Sequence, residues 1–176
     1  MEIHRFGPDQ LDGAMAFFGR IPEGDLTFIK EDVHDRDVVA AWTRDERSRR
    51  YLALDDQGTV VGYVAIIPGL GWSSHVGELR LVIDPDQRRQ GIGRSLARKA
   101  LAEAIGLGLG KIVVEVVAEQ AAPIAMFQGL GFHGEALLAD HVRDRGGNLR
   151  DLVVLAHAVA DNEAVMSASG ITEALT

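Results

Sequence analysis

The chain has 176 residues, 47% of them hydrophobic and 25% charged, which suits one domain with a sizeable core and excludes wholesale disorder. There is no Cys, so disulfides, thiolate metal sites and a cysteine nucleophile are excluded. Acidic residues outnumber basic ones 26 to 18 for a net charge of −8, which disfavours nucleic acid as a partner and suits a cationic one.

In chain order, Glu2 to Phe6 reads as a strand. Pro8-Asp9 opens a helix on which Leu11, Ala14, Met15 and Phe18 recur at helical spacing. Pro22-Glu23-Gly24-Asp25 is expected to break it. A short helix is expected over Asp37 to Thr43, with Val38, Ala41 and Trp42 inward. Arg50 to Leu54 and Val60 to Ile67 read as strands joined through Asp55-Asp56-Gln57-Gly58. Glu78 to Ile83 is another strand, closed by Asp84-Pro85-Asp86. Gly91 to Gly106 is the strongest helix, with an apolar stripe of Leu96, Ala97, Ala100, Leu101, Ala104 and Ile105. Lys111 to Ala118 is a β-branched strand interrupted by Glu115. Pro123 to Leu130 is a short helix, and strands near Gly134 to Arg143 and Asp151 to Ala158 enclose Arg145-Gly146-Gly147-Asn148. The order β-α-α-β-β-β-α-β-α-β-β predicts an α+β (mixed α/β) fold. Residues 1–160 are expected to form one domain and 161–176 a loose tail. No apolar run is long enough for a membrane span, no signal core stands at the start, and a cytoplasmic location follows as the default expectation.

Chemistry concentrates between Glu78 and Leu96. A strand ends, and a turn with Gly91 and Gly93 leads straight into a helix. Unpaired N–H groups of a first helical turn point along the axis, and the macrodipole adds about +0.5 charge. Arg88, Arg89 and Arg94 add fixed positive charge, so the segment reads as a phosphate or pyrophosphate cradle, against the plainer reading of a surface turn with solvated arginines. A Rossmann turn needs a third Gly where Leu96 stands. A Walker loop fails at Gly110-Lys111-Ile112, and its upstream Gly would fall on Ile105.

Arg88-x-x-Gly91-x-Gly93 resembles the R/Q-x-x-G-x-G/A signature of the GCN5-related N-acetyltransferases, the GNAT superfamily. Val82-Ile83-Asp84-Pro85 is similar to the family's fourth strand and its exit, and Lys111 to Ala118 to its fifth. Gln120 to Phe132 resembles the family's N-x-x-A-I-x-L-Y-E-K-L-G-F segment. By element order the resemblance spans residues 2–158, and its specific motifs lie between 78 and 132.

The resemblance implies a mostly antiparallel sheet of six or seven strands with a V-shaped splay between strands four and five, flanked by about four helices. It implies an N-acetyltransferase that uses acetyl-CoA, the pyrophosphate resting on Arg88, Arg89, Gln90, Gly91, Ile92, Gly93, Arg94 and Ser95. The pantetheine arm of coenzyme A would lie along Leu81, Val82 and Ile83, near Gln120, which takes the place of a family Asn. Phe127 stands where the family has the Tyr usually assigned to protonate the leaving thiolate. Water, Tyr51 or Tyr63 could substitute, and a non-catalytic acyl-CoA sensor is the alternative that Phe127 raises.

Direct attack by an amine needs a proton acceptor and an oxyanion donor. Glu78 leads as the base, with an ion pair to Arg80 as its plainer reading. His75 is a second candidate, and Glu115 either faces the acceptor or lies on an exposed strand face. The N–H of Val82 or Ile83 is expected to hold the oxyanion. No His pair has metal-ligand spacing, so no metal is expected. Residues 23–46 carry eight acidic side chains against Lys30, Arg36 and Arg44, which reads either as a solvated face or as the surround of a cationic amine, small molecule or peptide. Asp140, Asp144 and Asp151 could add to it, and Phe28, Trp72 and Phe132 could wall it. Late strands suggest a homodimer by resemblance only.

Overall fold

In the computed structural model, residues 1–26 and 29–159 are described; Phe28 and the expected tail at 161–176 lie outside them. Among the described residues seven strands form one sheet: β1 (Glu2–Arg5), β2 (Arg49–Leu54), β3 (Val60–Pro68), β4 (Val76–Ile83), β5 (Lys111–Val117), β6 (His133–Arg143) and β7 (Leu149–Ala158). Their spatial order is β1-β2-β3-β4-β5-β7-β6, and every neighbouring pair is antiparallel except β4 and β5. Five α-helices are described: α1 (Leu11–Phe18), α2 (Glu23–Leu26), α3 (Arg36–Trp42), α4 (Ile92–Gly106) and α5 (Ala121–Gln128).

Alternation along the central strands divides the core in two. Tyr51, Ala53, Val64, Ile66 and Leu79 pack with Leu96, Ala97, Ala100 and Leu101 of α4 and with Phe127 of α5. Leu52, Tyr63 and Ala65 face the other way, onto Phe17 and Phe18 of α1 and Val39 and Trp42 of α3. Leu96 and Leu101 are fully buried, so truncating either to Ala would cost about 2–5 kcal/mol. Gly62 permits the closest approach of α4, since a Cβ there would meet Leu96 Cδ1 at 2.8 Å.

The predicted elements recur with local corrections. Helix α1 ends at Phe18, ahead of the expected break, and Pro22 then begins a further turn of helix: its carbonyl accepts from Asp25 N–H at 2.8 Å and Leu26 N–H at 3.1 Å. Acidic side chains suit that first turn, and Leu26 is buried by it. On α3 Trp42 and Val38 turn inward as expected, but Val39 is the fully buried third residue and Ala41 is exposed, because at 3.6 residues per turn 38, 39 and 42 share one face and 41 lies off it. Helix α5 starts two residues ahead of Pro123, which therefore takes the third helical position, where no intrahelical N–H is required.

Parallel pairing of β4 and β5 is brief. Val76, Gly77 and Glu78 pair with Lys111, Ile112 and Val113, and no register pair follows, although β4 runs on to Ile83 and β5 to Val117. The two strands part at Glu78, which opens the expected splay.

Candidate active site

The splay forms a groove of about 740 Å³, within the usual range for small-molecule sites. Its floor is β4, its far wall β5 and the start of α5, and its mouth the turn into α4. Asp84, the buried carboxylate at the end of β4, ties that turn down. It accepts from Asp86 N–H at 3.1 Å and from Arg20 Nε and Nη2 at 3.3 and 3.2 Å, and Arg20 also donates to Val60 C=O at 2.7 Å. This clamp was not read from the sequence, since Arg20 and Asp84 are 64 positions apart.

At the mouth, Gly91 is the N-cap of α4 with φ 81° and ψ −2°, a left-handed conformation that glycine adopts without the Cβ penalty. No side chain caps the helix start. Ser95 N–H bonds back to Gly91 C=O at 3.0 Å, so regular helix begins at once behind the turn. Arg88, Arg89, Gly91, Ile92, Gly93 and Arg94 line the groove, while Gln90 is exposed and bonds Gln87 at 3.0 Å. At Gly93 a Cβ would meet Met126 Sδ at 3.3 Å, so this glycine lets α5 lie close. Arg94 donates to Gly129 C=O at 3.2 Å, and Arg88 pairs with Asp25 of α2 at 2.6 Å. That exposed pair is worth about 0.2–1 kcal/mol. Any anion at the cradle must compete with Asp25 for Arg88, so Asp25→Asn is expected to tighten CoA binding about two- to fivefold in a calorimetric titration; weaker binding would contradict the competition.

The ladder between β3 and β4 decides which backbone groups the groove offers. Gly69 N–H bonds Val76 C=O at 2.8 Å at one end, and Asp84 N–H bonds Val61 C=O at 3.0 Å at the other. The register between them is unbroken, with Val82 opposite Tyr63. Alternate residues therefore direct their N–H and C=O groups to β3, and Val82 is one of them. Of the expected pair Val82 and Ile83, the N–H of Val82 belongs to the ladder, and those of Leu81 and Ile83 face the gap. Their free N–H and C=O groups form an unpaired strand edge that an extended ligand arm can join.

Where the strands part, charge gathers. Both oxygens of Glu78 accept from Arg80, from Nε at 3.0 Å and Nη2 at 3.2 Å, and Arg80 also pairs with Glu31. Lys30 Nζ lies 2.7 Å from Glu78 Oε1 and 2.8 Å from Glu115 Oε2, bridging β4 and β5. Burial raises the Glu78 pKa, but the hydrogen bonds of Arg80 and Lys30 outweigh it and hold the carboxyl below the ordinary value of 4.5. Burial likewise works against the Lys30 ammonium, and the two carboxylates outweigh it, keeping that pKa raised. Glu115 thus faces the groove, not an outer strand surface. Tyr63 also lines it; burial pushes its phenol up to about 12, against the opposing effect of Arg50, whose Nη1 donates to Tyr63 Oη at 2.5 Å. Tyr51 lies on the opposite sheet face, under Lys99 and beside Glu103.

Other expected residues stand elsewhere. His75 is exposed and precedes the paired zone of β4, its carbonyl accepting from Gly110 and Lys111 N–H at 2.9 and 3.2 Å. Three residue steps of extended chain, about 10 Å, separate it from Glu78, and it is not among the groove-lining residues. Trp72 is 96% exposed on the β3–β4 loop, and Phe132 is core, against Phe127 at 5.2 Å. Asp144 and Asp151 serve the late hairpin, accepting from Asn148 N–H at 2.8 Å and Asp140 N–H at 2.9 Å. Gln120 precedes the first turn of α5 and lines the groove beside Phe127. Among the described residues no cluster of His, Asp or Glu is arranged to hold a metal, and no helix is long and apolar enough to cross a membrane.

The model of the acetyltransferase (GNAT) family matches residues 17–132, about two thirds of the sequence and the whole of the groove. The chain belongs to the GNAT family. Two curated relatives are similar over shorter segments. The [Ribosomal protein bS18]-alanine N-acetyltransferase of Escherichia coli (strain K12) is 32% identical over 76 residues, covering 43% of this chain and 51% of that protein. Mycothiol acetyltransferase of Mycobacterium sp. (strain JLS) is 38% identical over 85 residues, covering 39% of this chain and 28% of that protein. The chain thus spans about half the length of the first relative and less of the second. Among solved structures, the ribosomal-protein-alanine N-acetyltransferase of Brucella melitensis superposes with a TM-score of 0.75 at 21% identity, over 90% of this chain and 99% of that one. Spermidine N-acetyltransferase of Vibrio cholerae, solved with CoA and spermine, superposes with a TM-score of 0.75 at 19% identity, over 90% and 95%. At these identities the superpositions establish the GNAT fold.

Proposed function

We propose that the protein is an acetyl-CoA-dependent N-acetyltransferase that acts on a primary amine, with residues 1–160 as one acyltransferase domain. The observation that carries this reading is the joining, in one groove, of an anion cradle, a free strand edge and an amine held between two carboxylates. The residues present fit CoA: the left-handed Gly91 leaves the start of α4 open to a pyrophosphate, and Leu81 and Ile83 offer free backbone groups to the arm. Acetyl-CoA, when bound, supplies the acetyl group as an activated thioester.

The side chains and backbone supply the rest. Glu78 and Glu115 hold the acceptor as its ammonium. We assign proton removal to Glu115 Oε2, ahead of Glu78, because both Glu78 oxygens are occupied by Arg80 and its basicity is depressed. The Ile83 N–H, which the parity of the β3–β4 ladder turns toward the gap, would hold negative charge developing on a thioester carbonyl oxygen bound there. Absence of Cys accords with direct transfer, without a cysteinyl intermediate. The acidic surround favours a cationic acceptor, in line with the spermidine named for one similar protein and the ribosomal-protein alanine named for another.

Phe127 favours a second reading, a non-catalytic acyl-CoA sensor, because a phenyl ring has no proton to give a thiolate. A thiol pKa near 8.5 makes thiolate a tolerable leaving group, so the loss slows the reaction without abolishing it. Phe127→Tyr is expected to raise kcat at pH 7 about three- to tenfold. An unchanged or lower rate in a folded variant would mean that the position plays no part in proton transfer. The two readings separate in a thiol-release assay with an amine panel (a polyamine, an N-terminal peptide, a lysine peptide). Turnover of at least one amine above the spontaneous rate is expected, and CoA binding with no turnover on any would support the sensor.

A further inference from the structure

Three of the five charged groups at the head of the groove are fixed by the sheet. Glu78 and Arg80 are neighbours on one face of β4, and Glu115 projects from β5 just past the last paired residue. Glu31 is fastened to Arg80. Lys30 differs from the others. It arrives from outside the sheet on a flexible four-carbon stem, its side chain is 46% exposed, and its ammonium touches both strands at once. Arg80 is 22% exposed and is gripped at two nitrogens by Glu78. Of the two cations, Lys30 is the labile one, since half-exposed ion pairs of lysine are worth only about 0.2–1 kcal/mol.

Lys30 is itself a primary ammonium, and it stands at the end of the groove remote from the anion cradle, where β4 and β5 part. We propose that Lys30 is an internal competitor for the acceptor: Glu78 and Glu115 form a receptor for a primary ammonium, and the Lys30 side chain occupies it until an acceptor takes its place. The proposal rests on the amine-acceptor reading above and names the residues that select the amine. With Lys30 withdrawn, three carboxylates face one guanidinium, so the receptor favours an acceptor that carries more than one positive charge. The raised pKa of Lys30 agrees, because an ammonium so placed is held charged by the two carboxylates, as an acceptor would be on arrival.

The test is calorimetric titration of the full chain with 1,4-diaminobutane, with 1,4-butanediol as the neutral control of equal length. Lys30→Ala should bind the diamine at least about tenfold more tightly than the unsubstituted protein, the diol should show no gain, and adding Glu115→Gln should remove the gain. Lys30→Met retains the stem and carries the test if Lys30→Ala fails to fold, as judged by thermal melting. Folded Lys30→Ala or Lys30→Met that binds the diamine no more tightly than the parent would overturn the proposal. The readout needs no acetyl-CoA. A protein that fails to bind acetyl-CoA would contradict the acyltransferase reading, whereas an unchanged diamine affinity contradicts the role of Lys30.

Discussion

Gly91→Glu is expected to lower the affinity for CoA at least about 100-fold, equivalent to about 2.7 kcal/mol. A Cβ at Gly91 meets no atom within 4 Å, so the substitution needs no repacking inside the protein. Two other costs act. A φ of 81° strains any L side chain by about 1–3 kcal/mol. More importantly, a carboxylate one residue before α4 is itself attracted to the helix N-terminus and would take the cradle from the pyrophosphate. Gly91→Ala separates the two effects, since it introduces the strain without the charge and is expected to cost tenfold or less. Both are read by calorimetry beside a thermal melt. A folded Gly91→Glu that keeps its CoA affinity would mean that the cradle lies elsewhere.

Glu115→Gln is expected to reduce kcat about 10²–10³-fold, in the range of a lost general base, with acetyl-CoA affinity changed less than twofold. Glu78 lies under three hydrogen bonds from Arg80 and Lys30, and Glu115 has Lys30 alone among its described partners. Glu78→Gln should therefore act mainly on KM for the amine, through loss of one wall of the ammonium receptor. Steady-state kinetics at saturating acetyl-CoA distinguish the two. A larger fall in kcat for Glu78→Gln than for Glu115→Gln would return the proton acceptor to Glu78.

How much of this could be read before folding depended on sequence distance. The cradle was legible because strand exit, Arg88, Gly91, Gly93 and helix follow one another within twenty positions, and local geometry alone joins them. The splay followed from the resemblance, and the structure supplies its physical basis in three register pairs that stop at Glu78 and Val113. The succession of strands and helices along the chain is legible from alternation and turn residues, whereas the insertion of β7 between β5 and β6 is not. By contrast, Lys30 reaches Glu78 and Glu115 across 48 and 85 positions, and nothing in its neighbourhood marks it out from the acidic segment around it. Glu115 is visible as the lone carboxylate in an apolar strand, but only the sheet decides which face it takes. The direction of the Val82 N–H is a matter of register parity, which turns on single residues in the β3–β4 connection. His75 lies near Glu78 in sequence and yet stands outside the groove, because a strand carries three residues about 10 Å.

We propose that the groove between β4 and β5 binds acetyl-CoA through the Arg88–Arg94 cradle. Calorimetric titration of the protein with acetyl-CoA, with NAD as a control that also carries a pyrophosphate, tests it most directly. Micromolar, one-to-one binding of acetyl-CoA and none of NAD is expected, since the gap beside Leu81 and Ile83 fits an extended arm and the turn lacks the third glycine of a dinucleotide site. Absence of acetyl-CoA binding by the folded protein would contradict it.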